Sequence, residues 1–385
     1  MSLPTSTKSL WVVCAVIAVA LSSSCGSSEH PPDELPTQAL KLELQQVFGE
    51  EDESGQYLFD QVTHVAVGFL DDFYVAETKE NIIIRLNSDG IEIGRYGSAG
   101  EGPGQFEHIS ALAPLVDGRL VVFDGTLLRI TVFNDDSSVA KTFSVPGSSY
   151  LQIGQMIATG SNEVVLLFAR LGSRAERTGD VIFNIDIHGE TYEASFVKEA
   201  DLFDDLSIDF VRRGLSYRPG KLARVSDCMF FFAPEVHNGF LKIVDLCKRT
   251  VIPAPTTTIV STSHEIVEFS QGQIGVVNQH FLDEKNEGQV ISGRFFAFAA
   301  GLFTDGEKVY YLSIQTRSDK SYLILDIFDE KGQILENRVD DTFFEYAYVG
   351  RSPVPVSSWS KTSNIVMTDM RIGQMFVNTY RLGSE

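Results

Sequence analysis

One pattern recurs along the chain: a short apolar strand, a polar turn often ending in Gly, and a second strand. It is found at 82–97 (IIIRLNSDGIEIGRYG), 129–143 (RITVFNDDSSVAKTF), 181–197 (VIFNIDIHGETYEASFV), 241–254 (LKIVDLCKRTVIPA) and 323–339 (LILDIFDEKGQILENRV). β-Branched and aromatic runs around Asn, Asp and Gly predict a β-hairpin at each. Before each hairpin comes a nearly continuous apolar strand, at 73–76, 120–123, 164–168, 229–232 and 309–312, and a further one lies at 365–367. Strands apolar on both faces must be covered on both faces. Packed blades of a β-propeller meet that demand in a chain whose units repeat every 40 to 50 residues or so. Unit starts near 72, 118, 162, 227, 306 and 362 give six copies, with insertions at 198–221 and 256–292 where the spacing lengthens. The sixth copy ends at 374–382 (QMFVNTYRL) and leaves no room for an outer strand, whereas 40–48 (LKLELQQVF) stands alone at the other end and can supply it. The expectation is therefore an all-β, six-bladed propeller over 39–385, closed by an N-terminal strand so that the ring keeps no open edge.

The N-terminus predicts export. Lys8 precedes a 12-residue apolar run, Leu10 to Leu21, followed by Ser22, Ser23, Ser24 and Cys25. As a helix that run spans roughly 18 Å, too short for a hydrocarbon core of about 30 Å. It reads as the core of a signal peptide at 1–24. A single Cys after small residues resembles the bacterial lipoprotein signal, which implies an acylated Cys25 as mature N-terminus; Ser22 stands where that signal usually has Leu, and ordinary secretory cleavage near Ser24 is the alternative. Gly26 after the Cys resembles the outer-membrane type. Residues 25–38 are small, acidic and Pro-rich, and read as a flexible tether.

The segment 93–106 (IGRYGSAGEGPGQF), with its G-x-G-P-G-x-F core, resembles NHL-repeat proteins and the bacterial 6-bladed β-propeller lipoproteins, together with the strands at 119–124 and 129–133 that follow. The resemblance covers about 72–133 and implies a fold and a display surface more than an activity.

Charge narrows the partners. With 31 Lys and Arg against 52 Asp and Glu, the chain carries a formal charge of −21. A general nucleic-acid or anionic-membrane surface is excluded, because phosphate binding needs a basic face. Gly97, Gly100, Gly102 and Gly104 only superficially suggest a phosphate loop, since Phe106 leads into a strand rather than a helix. Acids end the second strands at Glu77, Asp124, Glu235 and Asp369. Six-bladed lactonases of the gluconolactonase type hold a divalent metal with such groups, but the same acids can instead hold their own loops. The seven His are scattered without ligand spacing and no G-x-S-x-G elbow occurs, so no catalytic residue, metal site or cofactor is expected. Cys228 and Cys247 flank one hairpin; a four-residue loop at 236–239 would set them opposite each other within disulfide range, which an exported location favours, while a two-residue Asn238-Gly239 turn would offset them.

One stretch breaks the acidity. Residues 210–224 (FVRRGLSYRPGKLAR) hold Arg212, Arg213, Arg218, Lys221 and Arg224 with no acid. Topology puts this insertion on the face that also carries 169–180, with Arg170, Arg174 and Arg177. Together with Tyr217 these form a candidate binding rim, unless the arginines pair with Asp201, Asp204, Asp205 and Asp209. The expected function is a monomeric binding or scaffold module for a protein or polysaccharide partner, touching the membrane of the bacterial envelope through its lipid anchor only, or else soluble in the periplasm or secreted. The rival is a lactonase- or lyase-type enzyme with a divalent metal in the central channel.

Overall fold

The structure, a computed structural model, describes residues 36–49, 59–145, 151–170, 181–202, 220–234, 239–256, 264–269, 284–286, 289–295, 297–317, 320–341, 358–360, 364–371 and 374–383. Its N-terminal strands are β1 (Gln38–Ala39) and β2 (Leu42–Phe48). Blade one is β3 (Val62–Val67), β4 (Phe73–Glu77), β5 (Ile82–Leu86) and β6 (Glu92–Tyr96). Blade two is β7 (Ile109–Pro114), β8 (Leu120–Asp124), β9 (Arg129–Phe133) and β10 (Val139–Ser144). Blade three is β11 (Leu151–Ala158), β12 (Glu163–Arg170), β13 (Ile182–Asp186) and β14 (Thr191–Ala194), followed by the single helical turn α1 (Glu199–Leu202). Blade four is β15 (Gly220–Arg224), β16 (Met229–Pro234), β17 (Phe240–Asp245) and β18 (Thr250–Pro255). A small sheet of β19 (His264–Phe269), β20 (Glu284–Asn286) and β21 (Gln289–Phe295) occupies the second insertion. Blade five is β22 (Ala297–Thr304), β23 (Val309–Arg317), β24 (Lys320–Phe328) and β25 (Ile334–Asp340), and the chain ends with β26 (Ser358–Ser360), β27 (Asn364–Arg371) and β28 (Gln374–Leu382).

This is a β-propeller, and the expectation of six blades is corrected to five. Five blades are built from four consecutive antiparallel strands, while the remaining sheet is a composite, ordered β2-β28-β27-β26. Its inner strand is cut to three residues and its outer strand comes from the other end of the chain, so it closes the ring of five blades rather than repeating them. The sequence pattern misleads here because the apolar run at 365–367 looks like the other second strands, whereas among the described residues the strand before it has three residues. Leu42 pairs with Leu382 and Phe48 with Val377. In addition β1 adds in parallel to β25, and Leu40, buried between β2 and blade five, donates its N–H to the Val339 carbonyl at 2.7 Å. One N-terminal segment thus straps two adjacent sheets and covers both their outer edges.

The core is divided among the seams between neighbouring sheets. Tyr74, Ile83, Tyr96, Phe106, Leu120 and Phe133 fill the seam between blades one and two. Phe123, Phe168 and Phe183 fill the next, with edge-on ring contacts. Phe48, Phe73, Ile84 and Val377 seal the composite sheet to blade one. Such seams are why the second strands are apolar on both faces. Four inner strands carry a register shift against their second strands, at 62/64, 109/111, 153/155 and 299/301, bulges that bend them around the channel. The glycine-rich segment is a blade-to-blade connection: Gly97, at φ 82°, lets the Phe106 ring approach to a distance no Cβ would permit, and Arg129 donates to the carbonyls of Glu101, Gly102 and Gln105.

Candidate functional site

Antiparallel order divides the loops between two faces. First-to-second and third-to-fourth turns open on one, second-to-third turns and blade-to-blade connections on the other. The central channel holds a cavity of about 360 Å³, walled by 64–67, 111–114, 155–158, 221–224 and 302–304. Each of these segments runs directly into a first-to-second turn, so the cavity lies toward the turn-bearing end of the inner strands. Its walls are the free edges of five inner strands, whose small residues Ala66, Ala113, Ala158 and Ala223 leave backbone groups accessible. Gln155 Oε1 accepts one such edge amide, from Leu222, at 2.8 Å. The polar side chains at this wall are His64, Gln155, Lys221, Arg224 and Thr304.

The candidate metal acids do not converge there. Asp124 is fully buried and its two oxygens accept four backbone N–H groups: Glu107 at 2.8 Å and His108 at 3.2 Å on one, Thr126 at 2.9 Å and Leu127 at 2.8 Å on the other. Glu77 does the same for Gln61, Lys79 and Glu80. Each acid ties its own second-to-third turn to the chain entering the inner strand. Glu235 and the side chain of Asp369 lie outside the described residues. Among the described residues no group of three or more His, Cys, Asp or Glu is placed to hold a metal ion.

The basic stretch is described only at its end. Arg212, Arg213, Tyr217, Arg218, Arg174 and Arg177 lie outside the described residues, as does the side chain of Arg170. Lys221 and Arg224 stand on β15 at the channel, and Arg224 pairs with Asp227 of the adjoining turn at 2.5 Å, an acid outside the set anticipated from sequence. Cys228 and Cys247 are disulfide-bonded, with Cα atoms 5.5 Å apart. The register that sets Met229 opposite Asp245 places Cys228 opposite Leu246, one position off the four-residue-loop expectation. Cys25 and the signal segment lie outside the described residues.

What sequence reasoning missed is a set of exposed apolar residues on the turns that follow the channel-lining strands. Phe69 and Leu70 crown the blade-one turn at 57% and 77% exposure, and Val116 crowns the blade-two turn at 51%. The turn is tight: Gly68 N–H donates to Asp72 at 2.8 Å, Asp71 N–H to Gly68 at 3.2 Å, and Asp71 sits at φ 60°. It is also anchored. Arg85, buried in blade one, donates to Asp72 at 2.5 Å, to Asp135 of blade two at 2.6 Å and to the Tyr96 hydroxyl at 3.3 Å, and lies 5.2 Å over the Tyr74 ring. Burial works against the Arg85 charge, but the hydrogen bond to Asp135 and its other partners outweigh it and raise its pKa. Burial, and then the charge of Asp72, hold Tyr74 neutral well above its usual range. The signal was legible in principle: G-F-L-D-D puts two large apolar residues where turns elsewhere place Asp, Gly or Ser.

No protein-family model and no curated protein matches the chain. Among solved structures it is similar to a member of the DUF4221 family from Bacteroides vulgatus, with a TM-score of 0.54 at 6% identity over 90% of this chain and 99% of that one. It is also similar to a Bacteroides fragilis protein described as exported, with a TM-score of 0.50 at 10% identity over 91% and 98%. A virginiamycin B lyase from Staphylococcus aureus overlaps at 0.47 and 9% identity over 89% and 100%, too low to carry chemistry across. The first two likenesses show the propeller fold.

Proposed function

We propose that this propeller is an exported, envelope-tethered module that holds a macromolecular partner and does not turn over a small substrate in its channel. The observation that carries the reading is the commitment of Asp124 and Glu77: the oxygens that would chelate a metal each already accept backbone amides. A carboxylate saturated by fixed N–H donors is a poor metal ligand, because binding would strip those bonds from a buried site. The signal-like N-terminus supports export, and acylated Cys25 followed by the acidic 25–38 tether would place the propeller away from the bilayer surface. The basic stretch around Arg212 and Arg213 remains a proposed contact on the insertion face.

The test is a pair of measurements on the mature chain. Adding Ca²⁺ or Mn²⁺ should leave its melting temperature unchanged, and light scattering should show a stoichiometric complex with one envelope component. A metal-dependent rise in melting temperature accompanied by lactone or ester hydrolysis would overturn the reading in favour of the enzyme.

A further inference from the structure

The N-terminal strap fixes the direction from which the chain reaches the propeller. β25 begins at Ile334, directly after the third-to-fourth turn of blade five, and runs to Asp340 on the face that carries the blade-to-blade connections and insertions. β1 adds to it in parallel, with Gln38 opposite Arg338 and Ala39 opposite Val339. Parallel partners run the same way, so the residues ahead of Gln38 arrive from the turn-bearing end of β25. An antiparallel pairing would bring them in from the insertions instead. The strap is pinned on both sides of β1. Leu40 is 3% exposed and bonded to the Val339 carbonyl, and Pro36 is buried although Thr37, Gln38 and Ala39 between them are exposed. At the turn-bearing end of the same edge stand Ile334 and Leu335, 37% and 53% exposed. Carrying the β1 register back along β25 sets Pro36 opposite Glu336 and Leu35 opposite Leu335. Local sequence favours that course: a residue before Pro is kept out of the helical region, which biases Leu35, His30 and Pro31 toward extended backbone. Pro36 itself is tolerated on an edge strand.

We propose that residues 33–35 lengthen the strap along the β25 edge, Leu35 covering Leu335, so that the tether leaves the propeller at its turn-bearing face and the insertion face looks away from the anchoring membrane. The occupant of the Ile334–Leu335 edge is this chain's own 33–35 segment, selected by continuity with the strap already in place and by the extended bias of its flanking prolines. From Leu35 back to Cys25 the chain spans at most roughly 35 Å when fully extended. β25 has seven residues, about 23 Å at 3.3 Å each, so doubling back to the insertion face would consume most of that reach. The orientation rests on the exported, acylated reading of Cys25 and deepens it: the face left open to a partner is the one bearing the 198–221 and 256–292 insertions.

Two measurements test the strap and the orientation separately. In the purified mature chain with Cys25→Ser, Leu35→Cys and Leu335→Cys are introduced together and mildly oxidised. Strand pairing would set their Cα atoms within disulfide range, so both new thiols should be lost and mass spectrometry should find a peptide joining 35 to 335. Cys228 and Cys247 are already bonded to each other and do not compete. Leu35→Cys with Val116→Cys, a comparably exposed position in blade two, should keep both thiols. Free thiols in the first pair, equal bonding in the second, or a bond between the 335 positions of two copies would overturn the strap. For the orientation, the acylated chain is placed in vesicles containing a rhodamine-labelled lipid. A fluorophore at Asp89→Cys, on the turn-bearing face, should transfer more energy to that lipid than one at Glu107→Cys, on the insertion face. Equal or inverted transfer would overturn the orientation while leaving the 35–335 bond in place. A chain that does not float with the vesicles would overturn the anchored reading and the orientation with it, and the 35–335 bond would still report on the strap.

Discussion

Asp124→Ala is the perturbation whose cost the structure specifies most fully. The native carboxylate is buried and accepts amides from Glu107, His108, Thr126 and Leu127. Truncation leaves four N–H groups without their acceptor at the junction of blades one and two. A hydrogen bond to a charged group is worth roughly 1.5–3 kcal/mol, but the four share one carboxylate and water can enter, so the combined loss is about 3–5 kcal/mol rather than their sum. For a folded body of roughly 350 residues, an unfolding entropy near 2.1 cal/mol/K per residue gives about 0.7 kcal/mol per degree, and Tm should fall by about 4–7 °C. Asp124→Asn keeps one accepting oxygen and turns donors against the other amide pair, so it should lose about half as much. Scanning calorimetry measures the fall, and hydrogen exchange should locate it at residues 107, 108, 126 and 127. A shift under 1 °C with unchanged exchange would refute the structural role, and Ca²⁺ stabilising the native chain but not Asp124→Ala would reassign Asp124 to a metal.

Reducing the Cys228–Cys247 bond, which spans a sequence separation of 19, should cost about 3 kcal/mol by loop entropy, seen as a lower Tm in dithiothreitol; equal Tm in both states would contradict it. Tyr74 and Tyr310 are held neutral above their usual range, chiefly by burial and then by Asp72 and Asp305 respectively, and burial does the same for Tyr311. Their raised folded pKa means that stability present below about pH 10 is lost as pH climbs above it, so phenolate absorbance should lag a free-tyrosine curve and then rise with unfolding. Partial burial would raise the Asp305 pKa, but the amides of Lys308 and Glu307 and the Tyr310 hydroxyl hold it low; its stabilisation is present above about pH 4 and lost as pH falls below, so Asp305→Asn should flatten the acid limb of a Tm–pH curve. Deleting 38–48 strips β28 and β25 of their edge partners and should yield aggregates on size exclusion. Mass spectrometry of membrane-extracted protein should find an acylated N-terminal Cys25.

Much of the architecture was written in local patterns. Continuously apolar strands such as 120–123 and 164–168 identify blades because each must bury two faces, and the isolated strand at 40–48 pairs with 374–382 because an unpaired edge is costly. The blade count was not legible, since the described inner strand at 358–360 has three residues, Ser-Trp-Ser, and leaves almost no hydrophobic trace. Addition of β1 to β25 was hidden for the same reason: two residues, Gln38 and Ala39, pair through backbone groups alone. At the candidate site, charge points to Arg212 and its neighbours, which lie outside the described residues, while exposed apolar residues stand on the turns at Phe69, Leu70 and Val116. A count of charges cannot register an apolar dipeptide on a turn, and only the fold brings the turns of adjacent blades to one channel mouth.

The binding-module reading is tested most directly in living cells by a photo-reactive amino acid placed on each face of the propeller in turn, at position 70 and at position 107. Irradiation should give one discrete adduct with an envelope macromolecule from one of the two faces. No discrete adduct from either face, together with lactone or ester hydrolysis by the purified chain, would contradict it.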